Sequence, residues 1–146
     1  MKSMKTTFFT ILLALALTSL FLIGCEPLDE DTTGDDPRDK YVGEWQFIES
    51  FKSTEGNSYL VSISKDPNNS SQVILGNFGN PGSQSITVTG IVTTSQIIVN
   101  SQKMSNNWTI EGAGRSTNTA NTTMSWTYAI TAGGDKEEYT ATATKQ

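Results

Sequence analysis

Few side chains in this 146-residue sequence are able to carry out covalent or metal chemistry. The chain has no histidine and a single cysteine, Cys25. The commonest general base, the commonest transition-metal ligand and an internal disulfide are therefore missing. Serine and threonine hydroxyls are abundant, but as nucleophiles they need a base, and only lysine or a carboxylate remains for that role. The sequence predicts no catalytic residue, no metal site and no cofactor.

The carboxylates of residues 40–146 are scattered along the chain. Glu44 and Glu49 lie an odd number of positions apart, so on a strand they point to opposite faces. Glu111 is the one acid inside a predicted strand that could meet a partner across a barrel, which makes it the candidate for a hydrolase. The alternative, a solvent-facing acid on the face opposite Trp108, agrees better with the usual exposure of glutamate. We therefore expect binding rather than catalysis.

The single cysteine ends an apolar segment near the N-terminus. Two lysines precede a nearly continuous apolar run over residues 8–23, and the run closes at Leu22-Ile23-Gly24-Cys25. It is shorter than the roughly 20 apolar residues that span a bilayer core, which favours a signal peptide over a membrane helix. The Leu-Ile-Gly-Cys sequence resembles the lipobox of bacterial lipoproteins. That resemblance implies cleavage before Cys25 and attachment to the membrane through lipid on its thiol and amino group.

The acidic residues are concentrated just after this cysteine. Seven of the 15 acids and one of the ten bases lie in residues 26–39, whereas residues 40–146 hold eight acids and seven bases. A charged segment with proline and glycine cannot bury apolar area, so it is predicted to be a disordered tether. The predicted organisation is a signal peptide over 1–24, a tether over 25–39 and one domain over 40–146. Neither tether nor domain has a basic stripe, which argues against nucleic-acid binding.

The start of the tether bears on localisation. Glu26 and the acidic run 29–31 resemble the surface-export signal of Bacteroidota lipoproteins, and Asp31-Thr32-Thr33 resembles a tripeptide that those bacteria O-glycosylate. The resemblance favours an outer-membrane protein displayed on the cell surface over one facing the periplasm, with both orientations left open.

The domain sequence alternates between apolar and polar residues, which is the period of a β-strand. No segment has helical apolar spacing over three turns. Clusters of glycine, asparagine and proline separate the alternating runs and supply turns, and residues 112–122 form the longest predicted loop. The eight predicted strands are 42–49, 59–64, 72–78, 85–92, 97–101, 107–112, 123–130 and 138–144.

Eight consecutive strands with short connections predict an all-β domain, an antiparallel up-and-down barrel. Closure removes the exposed edges that a sandwich would keep. The G-x-W at 43–45 resembles the motif with which lipocalins begin their first strand. Together with Asn-Phe-Gly at 77–79 and Tyr-Thr-Ala-Thr at 139–142, it makes residues 39–146 similar to small lipocalin-like lipoproteins of Bacteroidota.

The lipocalin resemblance implies that Trp45 packs across one closed end of the barrel. Lipocalins commonly stack an arginine near the last strand over that tryptophan. Here Arg115 falls in the predicted loop before the seventh strand, and the last strand offers Lys145 instead.

An eight-stranded barrel is either filled by its own side chains or holds one small ligand. Large aromatic residues could fill much of such an interior, or face a ligand there. If a ligand binds, the small residues Gly90, Ala129, Ala141 and Ala143 are expected to mark its space. The aromatic candidates are Trp45, Phe47, Tyr59, Trp108, Trp126, Tyr128 and Tyr139.

Two functions follow from these predictions. The first is a lipid-anchored, non-catalytic binding module that holds a small apolar molecule or a glycan in the barrel, or docks a protein partner through its loops. The alternative is a structural or accessory subunit of an outer-membrane complex, with a filled barrel and no small ligand.

Overall fold

The computed structural model describes residues 35–51 and 54–146, and these residues form eight β-strands and no helix. The predicted signal peptide, Cys25 and the tether up to residue 34 lie outside the described residues. No helix in the described part of the chain is long and apolar enough to cross a membrane. The strands are β1 (Gly43–Phe51), β2 (Thr54–Lys65), β3 (Gln72–Gly76), β4 (Thr87–Val92), β5 (Gln96–Lys103), β6 (Thr109–Ser116), β7 (Thr123–Ala132) and β8 (Asp135–Lys145).

The strands form one closed sheet in chain order. Each strand pairs antiparallel with the next, and β8 pairs back onto β1 through a register that includes Phe47↔Ala143. The predicted all-β class and the eight-stranded antiparallel barrel are confirmed. Side chains alternate between the interior and the solvent, as the pleat requires. On β1, Trp45 and Phe47 are buried while Glu44 and Ile48 are exposed.

The largest difference from the predicted strands is in β6. The sequence predicted a strand ending at 112 and a long loop over 112–122, and that prediction was wrong, because β6 continues to Ser116. Gly112 and Gly114 lie on its inner face, where β7 places two large rings. A Cβ at Gly114 would stand 2.1 Å from the Trp126 ring. These glycines make room for the two rings inside a strand. Arg115, which was placed in the predicted loop, is an exposed residue of β6.

The barrel wall has one weak seam, between β4 and β5. Their ladder contains only the pairs Ile91↔Ile98 and Val92↔Ile97. Further along, the side chain of Gln102 replaces the missing backbone bonds. Its Oε1 accepts from the Thr89 amide at 2.9 Å, and its Nε2 donates to the Thr89 carbonyl at 2.7 Å. The barrel therefore stays closed even where its strands diverge.

One end of the barrel is covered by residues 36–42, which we call the strap. Arg38 holds the strap in place and is 9% exposed. Its Nη1 donates to the carbonyls of Asn69 at 2.9 Å, Asp66 at 3.2 Å and Gln72 at 3.3 Å in the β2–β3 connection. The strap belongs to the compact unit that spans residues 35–146.

Trp45 lies under the strap at this closed end. Its Nε1 donates to the Tyr41 carbonyl at 2.7 Å, and its side chain is fully buried. The Lys145 ammonium stands 5.8 Å from the Trp45 ring centroid and donates to the Lys40 carbonyl at 3.1 Å. Lys145 of the last strand thus forms a cation–π contact with Trp45.

Candidate functional site: the open mouth of the barrel

The other end of the barrel contains a cavity of about 390 Å³. It lies where the connections β3–β4, β5–β6 and β7–β8 meet the ends of β1 and β2. This volume falls within the range of small-molecule pockets. We call this cavity the mouth. It is lined by Glu49, Asn57, Gly79, Asn80, Trp108, Ile130, Ala132, Asp135, Glu137 and Tyr139.

The deepest polar group of the mouth is the carboxylate of Glu49. This residue follows Trp45 and Phe47 on the inner face of β1 and is only 8% exposed. Its Oε2 accepts a short hydrogen bond from the Tyr128 hydroxyl. The Tyr59 hydroxyl lies 3.0 Å from the Tyr128 oxygen and 3.5 Å from the same Oε2. A carboxylate held by two phenols is therefore built into the interior.

The tyrosines around Glu49 remain protonated at neutral pH. Burial raises the pKa of Tyr59 and of Tyr128 well above the ordinary value for a phenol. A hydrogen bond from the Tyr139 hydroxyl to Glu137 Oε2, at 2.6 Å, raises the pKa of Tyr139 to about 12. The three phenols therefore act as hydrogen-bond donors toward carboxylates, and none of them supplies a base.

Phe78 enters the barrel interior from the β3–β4 connection, just before the lining residues Gly79 and Asn80, and it is almost fully buried. Asn77, Gly79 and Asn80 have positive φ angles of 61°, 77° and 54°, so the chain folds back sharply on both sides of the ring. The Asn77 Nδ2 donates to the Leu60 carbonyl at 3.0 Å and ties this loop to β2. The predicted third strand, 72–78, was therefore too long, since β3 ends at Gly76.

The predicted interior aromatics divide into three groups. Phe47, Tyr59, Trp126 and Tyr128 gather around Phe78, with ring centroids 4.8 Å from Phe78 to Trp126 and 5.0 Å from Phe78 to Tyr128. They fill the middle of the barrel.

The other predicted aromatics lie at its two ends. Trp45 is at the closed end, under the strap. Trp108 and Tyr139 are partly buried and line the mouth. The Tyr139 ring stacks on Tyr128 with centroids 5.5 Å apart, so it connects the mouth wall to the filled middle.

The small residues proposed to mark ligand space are packed by the core. A Cβ on Gly90 would stand 2.5 Å from Ile97 Cγ2 and 3.1 Å from Leu75 Cδ1. Ala141 and Ala143 pair with Trp126 and Met124 on β7 and are buried. None of these residues lines the mouth. Gly90, Ala141 and Ala143 accommodate large neighbours of the same wall, and Ala129 pairs with Glu111 and Glu138 away from the mouth.

Glu111, the candidate for a hydrolase, lies on the outer surface. Its Oε1 receives the Lys136 ammonium at 2.6 Å, and this hydrogen-bonded ion pair lowers the pKa of the carboxyl. It cannot meet a partner across the barrel interior.

Within residues 35–51 and 54–146 no cluster of acids, histidines or cysteines is suited to bind a metal ion.

Two parts of the mouth were missed at the level of sequence. Glu49 has the same parity as Trp45 and Phe47, so an inward carboxylate could have been inferred from the strand period alone. The Asn77–Asn80 loop combines two asparagines and a glycine around a single phenylalanine. That composition favours positive φ and could have marked a turn that inserts its aromatic residue.

Neither a protein-family model nor a curated protein matches the sequence. Solved structures with a similar fold include EF1p2_mFAP2b bound to DFHBI, with a TM-score of 0.52 and 12% identity over 76% of this chain and 99% of that chain. A redesigned β-barrel gives a TM-score of 0.51 and 13% identity, over 76% and 96% of the two chains. The redesigned β-barrel mFAP1, bound to DFHBI, gives 0.50 and 12%, over 75% and 99%. At sequence identities this low, the structural similarity shows a shared barrel fold alone.

Proposed function

We propose that this chain is a non-catalytic binding module that holds a small molecule in the mouth of the barrel. The observation that carries the proposal is the cavity of about 390 Å³ above a buried carboxylate, at the one end of the barrel that the strap does not cover. Two of the similar barrels are bound to DFHBI, which supports the use of such a fold to hold a small ligand.

The binding role is supported by the chemistry of the mouth. Its carboxylates accept hydrogen bonds from tyrosines, and among the described residues that line it there is no serine, threonine or lysine to serve as nucleophile or base partner. General acid–base catalysis needs a proton donor or acceptor poised near the working pH. Phenols with raised pKa values do not meet that need.

Filling the mouth tests this proposal. Ala132 lines the cavity, whereas Ala113 points outward from β6, so Ala132→Trp and Ala113→Trp add the same side chain inside and outside the site. Native mass spectrometry of protein purified from its own host should detect a bound small molecule with wild type and Ala113→Trp. The bound mass should be lost with Ala132→Trp. Equal retention by both variants, or no bound mass in any sample, would contradict the proposal.

We further propose that Cys25 carries lipid and holds the protein at the outer membrane, on the cell surface. The Leu-Ile-Gly-Cys sequence and the acidic residues after it support this assignment. Metabolic labelling with an alkyne fatty acid should mark the wild type and leave Cys25→Ser unlabelled. Protease added to intact cells should digest a surface-displayed protein and spare one that faces the periplasm.

The accessory-subunit alternative has one supporting observation. The barrel is filled below the mouth by packed aromatics, and Ile48 and Leu60 are each 43% exposed on the outer wall of β1 and β2. An apolar site on the wall could meet a protein partner. Crosslinking in native membranes should then capture one partner in fixed stoichiometry, and Ile48→Ser with Leu60→Ser should abolish the capture while leaving the mouth intact.

A further inference from the structure

We propose that the ligand of the mouth is a small organic cation, an amine whose ammonium group meets the carboxylate of Glu49. This inference rests on the proposed function, because it names the chemical class of the molecule that the mouth holds. Three features of the site support it: an uncompensated buried carboxylate, a rim of one charge sign and an aromatic wall.

The buried carboxylate has no cationic partner in the part of the chain that the structure describes. No arginine or lysine of the described residues lies within ion-pair distance of Glu49; the ion pairs seen there join Arg38 and Lys65 to Asp36, Lys65 to Asp39, and Lys136 to Glu111. Removing a carboxylate from water without a counter-charge is costly even when phenols donate to it. A cationic ligand would supply the missing charge.

One oxygen of this carboxylate is also available to a ligand. The Tyr59 and Tyr128 hydroxyls both approach Oε2. In residues 35–51 and 54–146, no side chain or backbone amide donates a hydrogen bond to Oε1, while Glu49 lines the cavity. An ammonium group carries three donors, so it could bond to Oε1 and still reach a second acceptor in the mouth.

The rim of the mouth has the same charge sign. Asp135 and Glu137 line the cavity together with Glu49, and none of the described lining residues is a lysine or an arginine. Lys136, which lies between the two acids in sequence, reaches outward to Glu111. Carboxylates that surround a cleft raise the local concentration of cations and repel anions.

The remaining wall suits the body of an organic cation. Trp108 and Tyr139 present partly buried rings to the cavity. Aromatic faces attract ammonium groups and also pack against apolar atoms, so an amine with a hydrocarbon or aromatic body would contact the wall along its whole length. A neutral glycan or a purely apolar molecule would leave Glu49 without a counter-charge.

Fluorine NMR of the full chain labelled with fluorotryptophan would test this assignment. The three tryptophans report on different places, since Trp108 lines the mouth and Trp45 lies under the strap at the other end. The probes are phenethylammonium, the neutral phenylpropanol and the anionic phenylpropanoate, which share a phenyl group and differ in charge. Phenethylammonium should shift the Trp108 resonance saturably and leave the Trp45 resonance in place. Its affinity should be about tenfold or more above that of the other two probes, as expected for a charged hydrogen bond at a buried site.

Matched variants on β1 locate the effect. Glu49→Gln keeps the shape and should lower phenethylammonium affinity about tenfold. Glu44→Gln removes an exposed acid from the outer face of the same strand and should leave the affinity unchanged. Glu137→Gln at the rim should give a smaller loss. The unshifted Trp45 resonance checks that each variant is folded.

The outcomes separate this inference from the proposed function. If phenylpropanol binds at Trp108 as tightly as phenethylammonium, or if Glu49→Gln binds the amine as well as wild type does, the mouth is a small-molecule site without charge selection and the inference is overturned. If no probe of any charge shifts the Trp108 resonance, the small-molecule site itself is contradicted, and the inference falls with it.

Discussion

At the closed end of the barrel the charged groups meet opposite charges or carbonyls, whereas at the mouth the buried carboxylate of Glu49 meets only phenol hydroxyls among the described residues. Under the strap, Arg38 meets Asp36 and three backbone carbonyls, and Lys145 rests over Trp45. In the mouth, Glu49 accepts hydrogen bonds from phenols and no described cation approaches it. The same eight strands therefore end in one region with paired charges and one where we propose that a ligand supplies the counter-charge.

This difference separates stability from function along the barrel axis. A buried charge with its counter-charge fixes the fold, while a buried charge without one lowers stability unless a ligand binds. Residues at the closed end are thus expected to affect unfolding, and residues at the mouth are expected to affect binding. Four predictions test this separation, from the largest expected effect to the smallest.

Truncating one tryptophan at each end should give the clearest contrast. Trp45→Ala removes a fully buried ring and the hydrogen bond to Tyr41, which should lower the free energy of unfolding by about 3–5 kcal/mol. Trp108→Ala removes a partly exposed ring from the mouth and should cost less than about 1 kcal/mol. Urea denaturation followed by circular dichroism measures both values. Similar losses of unfolding free energy from the two variants would contradict the expected difference between the two ends of the barrel.

A methyl group in the filled middle should be nearly as damaging. In Gly114→Ala the new Cβ would meet the Trp126 ring at 2.1 Å, and that ring is fully enclosed. Overpacking of this kind should cost about 2–3 kcal/mol. Ala113→Ser, on the outer face of the same strand, is the control and should unfold at the wild-type urea concentration.

Removing the arginine of the strap should have a moderate effect that depends on pH. Arg38→Gln should lower Tm by a few degrees, because carbonyls of the β2–β3 connection lose their donor. Arg115→Gln, an exposed arginine on β6, should leave Tm unchanged. Thermal unfolding followed by circular dichroism measures the shift.

The loss of stability at acid pH is also expected to depend on the closed end of the barrel. Hydrogen bonds from Arg38 hold the pKa of Asp36 well below its ordinary value of 3.8. A lowered pKa stabilises the fold above pH 3.8, and that contribution is lost as the pH falls further. Stability should therefore fall less steeply below pH 4 in Arg38→Gln than in wild type. An equally steep fall in the two proteins would contradict this.

The loss of stability at alkaline pH is expected to depend mainly on the tyrosines in and below the mouth. Tyr59, Tyr128 and Tyr139 all have raised pKa values. A raised pKa favours the protonated phenol in the folded state, so the contribution is complete below the ordinary value of 10.0 and is lost as the pH rises through the folded pKa. Ultraviolet absorbance should detect little tyrosinate at pH 10 in the folded protein. Half-ionisation at that pH would contradict the burial of these hydroxyls.

The fold could be predicted because strand period and turn composition act locally. The alternation of Met124, Trp126 and Tyr128 specified an inner face of β7, and the structure places all three inside the barrel. β6 could not be predicted correctly, because the role of Gly114 depends on a ring contributed by the neighbouring strand. A glycine that makes room for a partner and a glycine that turns the chain look alike in sequence.

The site was less predictable for a similar reason. The even spacing of Glu49 from Trp45 and Phe47 on β1 indicates that its side chain points into the barrel. Its hydrogen bonds, however, come from β2 and β7, at sequence separations that no local pattern reports. Phe78 was interpreted as the end of a strand, since only the tertiary structure shows its ring packed against Trp126 and Tyr128 in the barrel interior. Aromatic residue type alone did not distinguish the rings that pack in the interior from those that line the cavity.

The strap has a further consequence for how the molecule is presented. The described chain begins at this end with residue 35, and Gln146 returns to it, where its amide donates to the Glu44 carbonyl at 3.0 Å. Both ends of the described chain therefore leave from the side of the barrel opposite the mouth. A fusion partner or a sensor surface attached at Gln146 would therefore leave the mouth unobstructed.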